Sequence, residues 1–279
     1  MADGVELAPM AQHVARTGPV SLSIVMPVHN EENTILDAVQ SILSANIPCD
    51  FELIIVNDGS TDRTHAIVEA FDDQRVTYVQ QHCNLGKGAA VRSAVSLASG
   101  THLLVFDADL EYDAADIASV VTPVIEGRAE VVYGVRVSGM RTVFPSLTYA
   151  LGNTFTTLAA NLMFGSFLTD MHTCFKLVPV ELLRSMQLRE YGFGLDTEIT
   201  GEILRRGYRP YEVPVSYSAR SHMEGKKIRP SDGLRCLYVL AKVRKRGKMP
   251  VMPRLVHRQS LDASTTDSSP RVVGEELAG

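Results

Sequence analysis

The sequence predicts an α/β fold with a doubly wound, mainly parallel sheet and helices on both faces. Its first half alternates short apolar runs with helical patterns in the order β-α-β-α-β-α-β-α-β. Three of these runs are almost continuously apolar, as expected for central parallel strands that are buried on both sides. With 279 residues, 45% of them hydrophobic and 21% charged, the chain can bury a substantial core.

The strands are predicted from apolar runs, and the helices between them from apolar residues at helical spacing. Strands are expected at residues 23–26, 51–57, 76–80, 102–106 and 131–134. The intervening helices are expected at residues 34–44, 61–71, 88–97 and 115–126. Beyond residue 136 the alternation stops, and we expect helices at 144–164, 180–185, 197–206 and 232–245, with one strand at 209–215.

The domain boundaries are predicted from where the hydrophobic periodicity begins and ends. Residues 1–20 and 249–279 show no such periodicity, so we expect a flexible N-terminal tail and a disordered C-terminal tail. Residues 21–248 should form a single domain. The four cysteines lie far apart with no CxxC pair, which argues against a disulfide scaffold or a zinc finger and favours a reducing, cytoplasmic compartment.

The charge is unevenly distributed along the chain. A net charge of −5 argues against a nucleic-acid binder, yet residues 220–248 hold ten Lys and Arg against two Asp and Glu. This segment predicts a local basic face for an anionic partner. No run reaches the ~18 apolar residues of a membrane span. Residues 147–168 are apolar but interrupted by polar side chains, which suits a helix on an apolar surface, or else a core or dimer helix.

Polar residues follow the first three predicted strands, where ligands bind in open α/β sheets. The first is followed by residues 27–32, and the second by Asp58-Gly59 with hydroxyl residues that can hold a ribose or a base, or simply form a turn and a helix cap. The third is followed by a glycine-rich loop at residues 84–90. Its Lys87 is either a secondary phosphate contact or a solvated lysine in a tight turn.

The fourth strand is followed by the strongest chemical signal, Asp107 and Asp109 with Glu111 continuing the series. At a spacing of two, carboxylates share one face of an extended backbone. Clustered oxygen ligands suit Mg²⁺ or Mn²⁺, which take one or two carboxylates and complete their shell with water and phosphate. The alternative is a capping turn.

Together these motifs resemble the inverting GT-A glycosyltransferases of family 2, and specifically the dolichyl- or polyprenyl-phosphate hexose synthase branch. The resemblance covers roughly residues 21–248. The motifs that carry it are 27–31, 57–62, 84–89, 107–111, 133–136, 168–176 and 212–217, followed by Arg220 and 224–228. The sequence departs from the branch at Val135, where serine is common, at His172, where glutamate is usual, and at Glu111, where the family often has glutamine.

The resemblance implies a GDP- or UDP-hexose donor bound by residues 21–135 and an acceptor bound by residues 136–248. The residues implied in nucleotide-sugar binding are Pro27, His29, Asn30, Glu31, Asp58, Gly59, Lys87 and Ala108. A Mg²⁺ or Mn²⁺ ion on the pyrophosphate would be held by Asp107, Asp109 and Glu111. The implied contacts of an acceptor phosphate are Arg136, Arg141, Lys176, Arg220 and Lys227.

The acceptor decides which catalytic residues are needed beyond Asp107, Asp109 and Arg136. A polyprenyl phosphate is mostly dianionic at neutral pH and attacks without a base, whereas a hydroxyl needs a positioned carboxylate. Asp196 lies where the family places that base, although it could also be a helix N-cap.

We therefore predict an inverting, metal-dependent hexosyltransferase that acts on polyprenyl phosphate, with no nucleic-acid partner and with its oligomeric state open. It is expected to be cytoplasmic, peripheral on the inner face of a membrane through the basic segment. The alternatives are the same donor chemistry with a hydroxyl of a soluble metabolite or glycan, and a nucleotide-sugar sensor without turnover.

Overall fold

The structure, a computed structural model, describes residues 18–136, 142–143, 147–192, 194–219 and 230–247. Within these ranges the side chains of residues 143, 147–149, 230 and 231 are not described. The predicted tail at 249–279 and residues 1–17 of the predicted N-terminal tail lie outside the described residues.

A seven-stranded mixed sheet forms the centre of the molecule, in the order β3-β2-β1-β4-β7-β5-β8. A two-stranded parallel sheet of β6 and β9 lies apart from it. The strands are β1 (Ser21–Val28), β2 (Asp50–Asn57), β3 (Val76–Gln80), β4 (His102–Val105), β5 (Val132–Val135), β6 (Thr142–Val143), β7 (Lys176–Pro179), β8 (Tyr211–Pro214) and β9 (Tyr217–Ser218).

The helices pack on both faces of the large sheet, which confirms the predicted fold class. They are α1 (Ile35–Ser44), α2 (Thr64–Glu69), α3 (Lys87–Leu97), α4 (Ile117–Ile125), α5 (Leu147–Phe164), α6 (Val180–Ser185), α7 (Gly194–Arg205) and α8 (Pro230–Lys245). A short 3₁₀ helix, Ala114–Asp116, precedes α4. One apolar layer contains α1, α2 and α4, and the other contains α3, α5, α6, α7 and α8.

The five strands predicted in the first half all form. β1, β2, β3 and β4 pair in parallel with one another, whereas β5 pairs in parallel with β8 from the second half. The sequence analysis missed β7, which is antiparallel to both β4 and β5 and lies between them. Residues 176–179 are a short buried run that begins with lysine and ends with proline, so they carry no alternation and little strand signal.

Three helix boundaries differ from the prediction for local reasons. α2 begins at Thr64, not at residue 61, because the Asp62 carboxylate accepts the Thr64 amide at 2.9 Å and shapes a turn there. The predicted helix at 115–126 is divided into the 3₁₀ turn and α4. α7 begins at Gly194, so Asp196 lies in its first turn and is not the N-cap.

None of the helices in the described part of the chain combines the length and the hydropathy that crossing a membrane requires.

Candidate active site

The carboxyl ends of β1 and β2 bring the first two predicted motifs together at one edge of the sheet. His29 Nδ1 lies 2.9 Å from the Asp58 carbonyl oxygen, and the Asn30 side chain accepts the Thr61 amide at 2.8 Å. Asn30 adopts a φ of 57°, a left-handed conformation that asparagine tolerates better than most residues. Pro27 lies within β1, and the Glu31 carboxylate accepts the Thr34 hydroxyl at 2.8 Å.

The Asp58 carboxylate holds the glycine-rich loop in place. It is 3% exposed, and its two oxygens accept the amides of Leu85 and Gly86 at 2.7 and 2.8 Å. Gly59 next to it has a φ of 68°, and a side chain there would lie 2.6 Å from the backbone of Cys83. Asp58 therefore orders the loop that follows β3, in addition to the ligand-binding role predicted for it.

The glycines of this loop allow a second stretch of backbone to approach it. Gly88 donates its amide to the Tyr191 carbonyl at 2.7 Å, and a Cβ on Gly88 would lie 2.2 Å from the Glu190 carbonyl oxygen. At Gly86 a Cβ would lie 2.4 Å from the Tyr191 oxygen. The loop from the first half of the chain is thus packed against the segment that leads into α7.

We give the name strand-end cluster to the charged side chains Lys87, Asp107, Lys176 and Asp196, together with the Cys174 thiol. Lys87 is the first residue of α3. Its ammonium group lies 2.8 Å from Asp107 Oδ2 and 4.0 Å from Asp196 Oδ2. The thiol of Cys174 donates to the same Asp107 oxygen at 2.9 Å. Lys176, the first residue of β7, lies 3.1 Å from Asp196 Oδ1. The interpretation of Lys87 as a solvated lysine is therefore wrong.

In the strand-end cluster each carboxylate lies beside a lysine, and the side chains are largely buried. Burial would lower the pKa of Lys87, but the facing Asp107, Cys174 and Asp196 raise it well above its usual value. Burial opposes the charge of Asp196 too, yet Lys176 and Lys87 hold its pKa below the ordinary range. Burial and the charge of Asp107 raise the pKa of the Cys174 thiol, which stays protonated.

The predicted metal ligands follow β4, and their carboxylates have different surroundings. Asp109 Oδ1 accepts the Glu111 amide at 3.1 Å, across Leu110 with its φ of 58°. The Glu111 carboxylate accepts the Tyr217 hydroxyl at 2.6 Å, and Ala108 is buried. Among the described residues no three His, Cys, Asp or Glu side chains form a metal-binding group. That Glu111 joins the two aspartates on the ion stays a prediction.

A buried ion pair lies in the half of the domain that is predicted to bind the acceptor. Arg136, immediately after β5, donates from Nε and Nη2 to the two oxygens of Asp170 at 2.7 and 2.9 Å. Asn153 of α5 donates to the same carboxylate at 3.1 Å, and the guanidinium lies 4.9 Å from the Tyr217 ring centroid. The Arg136 side chain is 3% exposed and that of Asp170 is 0% exposed. The Arg136 guanidinium is therefore buried against Asp170. Its predicted contact with an acceptor phosphate stays a prediction.

His172 is joined to α5 and is uncharged near neutral pH. Its Nε2 lies 2.8 Å from the Thr156 hydroxyl, and its amide donates to Asp170 at 3.1 Å. Burial outweighs the attraction of Asp170 and lowers the pKa of His172 to about 4.

The structure thus gathers Lys87, Asp107, Lys176 and Asp196, which the sequence analysis named separately. Arg141, Arg220 and Lys227 lie outside the described residues. Several side chains that complete these contacts had no role predicted from the sequence, although most lie inside the motifs or next to them. They are Tyr112, whose hydroxyl accepts the Cys174 amide, together with Asp170, Cys174 and Tyr217.

A doubly wound sheet with a glycine-rich loop, a lysine and two aspartates at its strand ends is typical of α/β enzymes that bind a phosphate-containing ligand there. Residues 23–185 match the sequence profile of Glycosyl transferase family 2, and the chain belongs to that family.

Curated relatives share the same region at moderate identity. Glycosyltransferase AglJ of Haloferax volcanii is 28% identical over 203 residues, 72% of this chain and 64% of its own length. Dodecaprenyl-phosphate galacturonate synthase of Rhizobium johnstonii is 30% identical over 122 residues, 42% of this chain and 36% of its own length. The chain matches between about a third and two thirds of the length of AglJ and its Haloferax relatives AglD and Agl6.

Solved structures place the fold in the GT-A class. Glucosyl-3-phosphoglycerate synthase from Mycobacterium tuberculosis, in complex with UDP, superposes with a TM-score of 0.62 at 20% identity, covering 85% of this chain and 88% of that one. TarS of S. aureus, in complex with UDP-GlcNAc, gives a TM-score of 0.58 at 18% identity, covering 83% and 68%. The predicted GT-A fold is confirmed.

Proposed function

We propose that the protein is an inverting glycosyltransferase that moves a hexose from GDP-mannose or UDP-glucose to a polyprenyl phosphate. The observation that carries this proposal is the state of Asp196. Its carboxylate lies 3.1 Å from the Lys176 ammonium and 4.0 Å from that of Lys87, so its charge is already paired with two cations. Such a site suits a nucleophile that arrives already ionised.

Donor binding is assigned to the edge formed by β1, β2 and β4. Pro27, His29, Asn30, Glu31 and Asp58 with Gly59 would hold the base and ribose, and Ala108 would line the pocket. Lys87 lies beside Asp107, where its ammonium can contact a diphosphate oxygen. Family membership and the UDP complexes of similar structures support this assignment.

The carboxylates of Asp107 and Asp109 fit a Mg²⁺ or Mn²⁺ ion, because these ions commonly bind one or two carboxylates together with phosphate oxygens. When bound, the ion would stabilise negative charge on the departing diphosphate. Glucosyl-3-phosphoglycerate synthase has been solved with Mg²⁺ and UDP, and with Mn²⁺, UDP and phosphoglyceric acid, which supports the proposal. Glu111, held by Tyr217, would position the turn that carries Asp109.

The acceptor is assigned from the charge of the site. A phosphate monoester has a second pKa of about 6, so it needs no general base at neutral pH. A hydroxyl requires a positioned base, and the Asp196 carboxylate, the candidate for it, is already bound by the Lys176 ammonium. The relative from Rhizobium johnstonii, a dodecaprenyl-phosphate galacturonate synthase, supports a lipid phosphate. Arg136 would act by holding Asp170 and the acceptor side in place.

The substitution Asp196→Asn tests the acceptor class. With polyprenyl phosphate and either donor, we expect kcat to change by less than about tenfold, and the rate of both proteins to rise through a pKa near 6. The variant Asp113→Asn, which changes the aspartate that caps the 3₁₀ helix before α4, is the control. Absence of wild-type turnover with polyprenyl phosphate would reject the proposed acceptor, and a fall in kcat of about 100-fold or more in Asp196→Asn, with loss of that pH dependence, would show that Asp196 acts as a general base.

The substitution Asp109→Asn tests the metal assignment. Turnover should fall by orders of magnitude, as it should for the wild-type protein in excess chelator, while the melting temperature stays close to that of the wild type. Full activity of either would overturn the assignment. Asp113→Asn again serves as the control, since it also changes a carboxylate that accepts a nearby amide.

A further inference from the structure

Helix α5 presents a row of apolar side chains away from the core. Leu151, Phe155, Leu158 and Leu162 are between 52% and 77% exposed. Their spacing of four, three and four residues puts them on one side of the helix. Phe167, just beyond its end, is 86% exposed. Single exposed leucines are ordinary on protein surfaces, but a continuous row indicates a surface with a partner.

Helix α8 packs beside α5 and carries exposed apolar side chains of its own. Its Val239, Leu240 and Val243 are buried against the core, whereas Leu234 is 72% and Tyr238 is 66% exposed. We name the combined surface the α5–α8 face. Its apolar members are Leu151, Phe155, Leu158, Leu162, Leu234 and Tyr238.

Cations border the α5–α8 face. Lys242 Nζ lies 6.0 Å from the Tyr238 ring centroid, and the Arg244 guanidinium lies 5.8 Å from that of Phe164. A groove beside Leu162 is also lined by Arg209 and Arg244. None of these three cations forms an ion pair with a carboxylate of the described residues. Within the described part of the chain, no carboxylate therefore neutralises this border of cations.

We propose that the α5–α8 face docks on an anionic lipid bilayer. The apolar row would enter the boundary between headgroups and acyl chains, while Lys242, Arg209 and Arg244 meet lipid phosphates. A second copy of the chain fits less well, because a two-fold interface is built from the same patch on both subunits and would bring these cations toward one another. The bilayer instead complements both the apolar row and its charged border.

The inner side of α5 connects this surface to the acceptor side of the site. Asn153 donates to Asp170 at 3.1 Å, and Thr156 contacts His172 at 2.8 Å. One helix therefore contacts the Arg136 and Asp170 pair with its polar side and would contact lipid with its apolar side. The purpose of this docking rests on the proposed function, since a polyprenyl phosphate acceptor is embedded in a membrane.

The test is flotation of the full chain with vesicles that contain no acceptor. Vesicles of phosphatidylcholine with roughly 30% phosphatidylglycerol should bind the protein, and vesicles of phosphatidylcholine alone should bind it more weakly. The double variant Phe155→Asp/Leu162→Asp should bind at least tenfold more weakly. Lys242→Gln should weaken binding to the anionic vesicles about fivefold, since one interfacial cation contributes about 1 kcal/mol. Leu36→Asp, which changes a 45% exposed leucine of α1 in the opposite layer, is the matched control.

The surface and the proposed reaction can fail separately. Absence of wild-type flotation, or equal flotation of the double variant and Leu36→Asp, would overturn the docking surface whatever the enzyme transfers. A concentration-dependent dimer that the double variant dissociates would overturn it in favour of self-association. Flotation that requires the α5–α8 face, without transfer to polyprenyl phosphate in detergent, would keep the surface and reject the proposed acceptor.

Discussion

Replacing Asp170 by asparagine removes the charge of a buried carboxylate while keeping the size of the side chain. Asp170 accepts two hydrogen bonds from the Arg136 guanidinium and one each from Asn153 and the His172 amide. In the variant the Arg136 guanidinium would stay 3% exposed and would lose the carboxylate that binds it through both oxygens. One of the two guanidinium contacts would also face an amide N–H group, which cannot accept it.

The expected loss is large because both partners are buried. Breaking such a pair by removing one member costs about 3 to 5 kcal/mol, most of it from the charge left behind. For a domain of this size, about 1 kcal/mol corresponds to a change of roughly 2 to 4 °C in melting temperature. Asp170→Asn should therefore lower the melting temperature by about 10 °C.

Thermal unfolding followed by circular dichroism measures this loss, with Asp73→Asn as a matched control. Asp73 also binds an arginine through both oxygens, accepting Nε and Nη2 of Arg75 at 3.0 and 2.8 Å, but on the surface. Exposed pairs contribute little, so this variant should melt close to the wild type. The comparison separates the effect of burial from the effect of losing an arginine contact.

The same pair predicts an acid sensitivity. Burial would raise the pKa of Asp170, but Arg136 and the hydrogen bonds it donates lower it well below the ordinary range. Its stabilising contribution is then fully present above the unfolded-state pKa of about 3.9 and is lost as the pH falls below that value. Asp170→Asn should lack this component. Equal melting temperatures for Asp170→Asn and Asp73→Asn at pH 7 would refute the reasoning.

Three further predictions concern the glycine-rich loop and the half-buried His172. Asp58→Asn should speed amide hydrogen exchange in residues 84–88 and weaken donor binding by about 1 to 3 kcal/mol, and unchanged exchange would contradict it. Gly88→Ala should destabilise by about 1 to 3 kcal/mol because its Cβ meets backbone at 2.2 Å, whereas Gly152→Ala, with open space, should not; calorimetry compares them. The folded His172 stays neutral down to a pH of about 4, whereas the unfolded chain takes up a proton on this histidine below about 6.5. The wild type should therefore lose up to about 3 kcal/mol of stability as the pH falls from 6.5 to about 4. A parallel pH profile of stability for His172→Gln would contradict this.

Much of the fold could be predicted because most of its strands have a recognisable local sequence pattern. β1, β2 and β4 are apolar runs followed by glycine, aspartate or asparagine, and the helices between them carry apolar residues at helical spacing. β7 could not be found in this way, because four residues starting at Lys176 give neither alternation nor length. Its place in the sheet is set by pairing with two strands that are distant in sequence.

The site was predictable residue by residue but not as an arrangement. Asp107 and Lys87 were named from their motifs, yet their direct pairing depends on how α3 packs on β1 and β2, beside the end of β4. The contact of Lys176 with Asp196 depends on β7 and on the early start of α7. Asp170 was visible in its motif, but nothing local showed that Arg136 would be its buried partner. Such contacts between distant segments have no local sequence signal.

The antiparallel insertion of β7 also governs the order in which the chain can fold during synthesis. β1 to β4 are neighbours in one half of the sheet and can pair as soon as they leave the ribosome. β5 cannot join them, because the strand that separates it from β4 is synthesised only after the forty residues 136–175. Until β7 is synthesised, the edge of β4 therefore has no neighbouring strand in the sheet. Pairing of β7 with β4 then covers this edge. Translation speed through residues 136–179 sets how long this aggregation-prone edge is open.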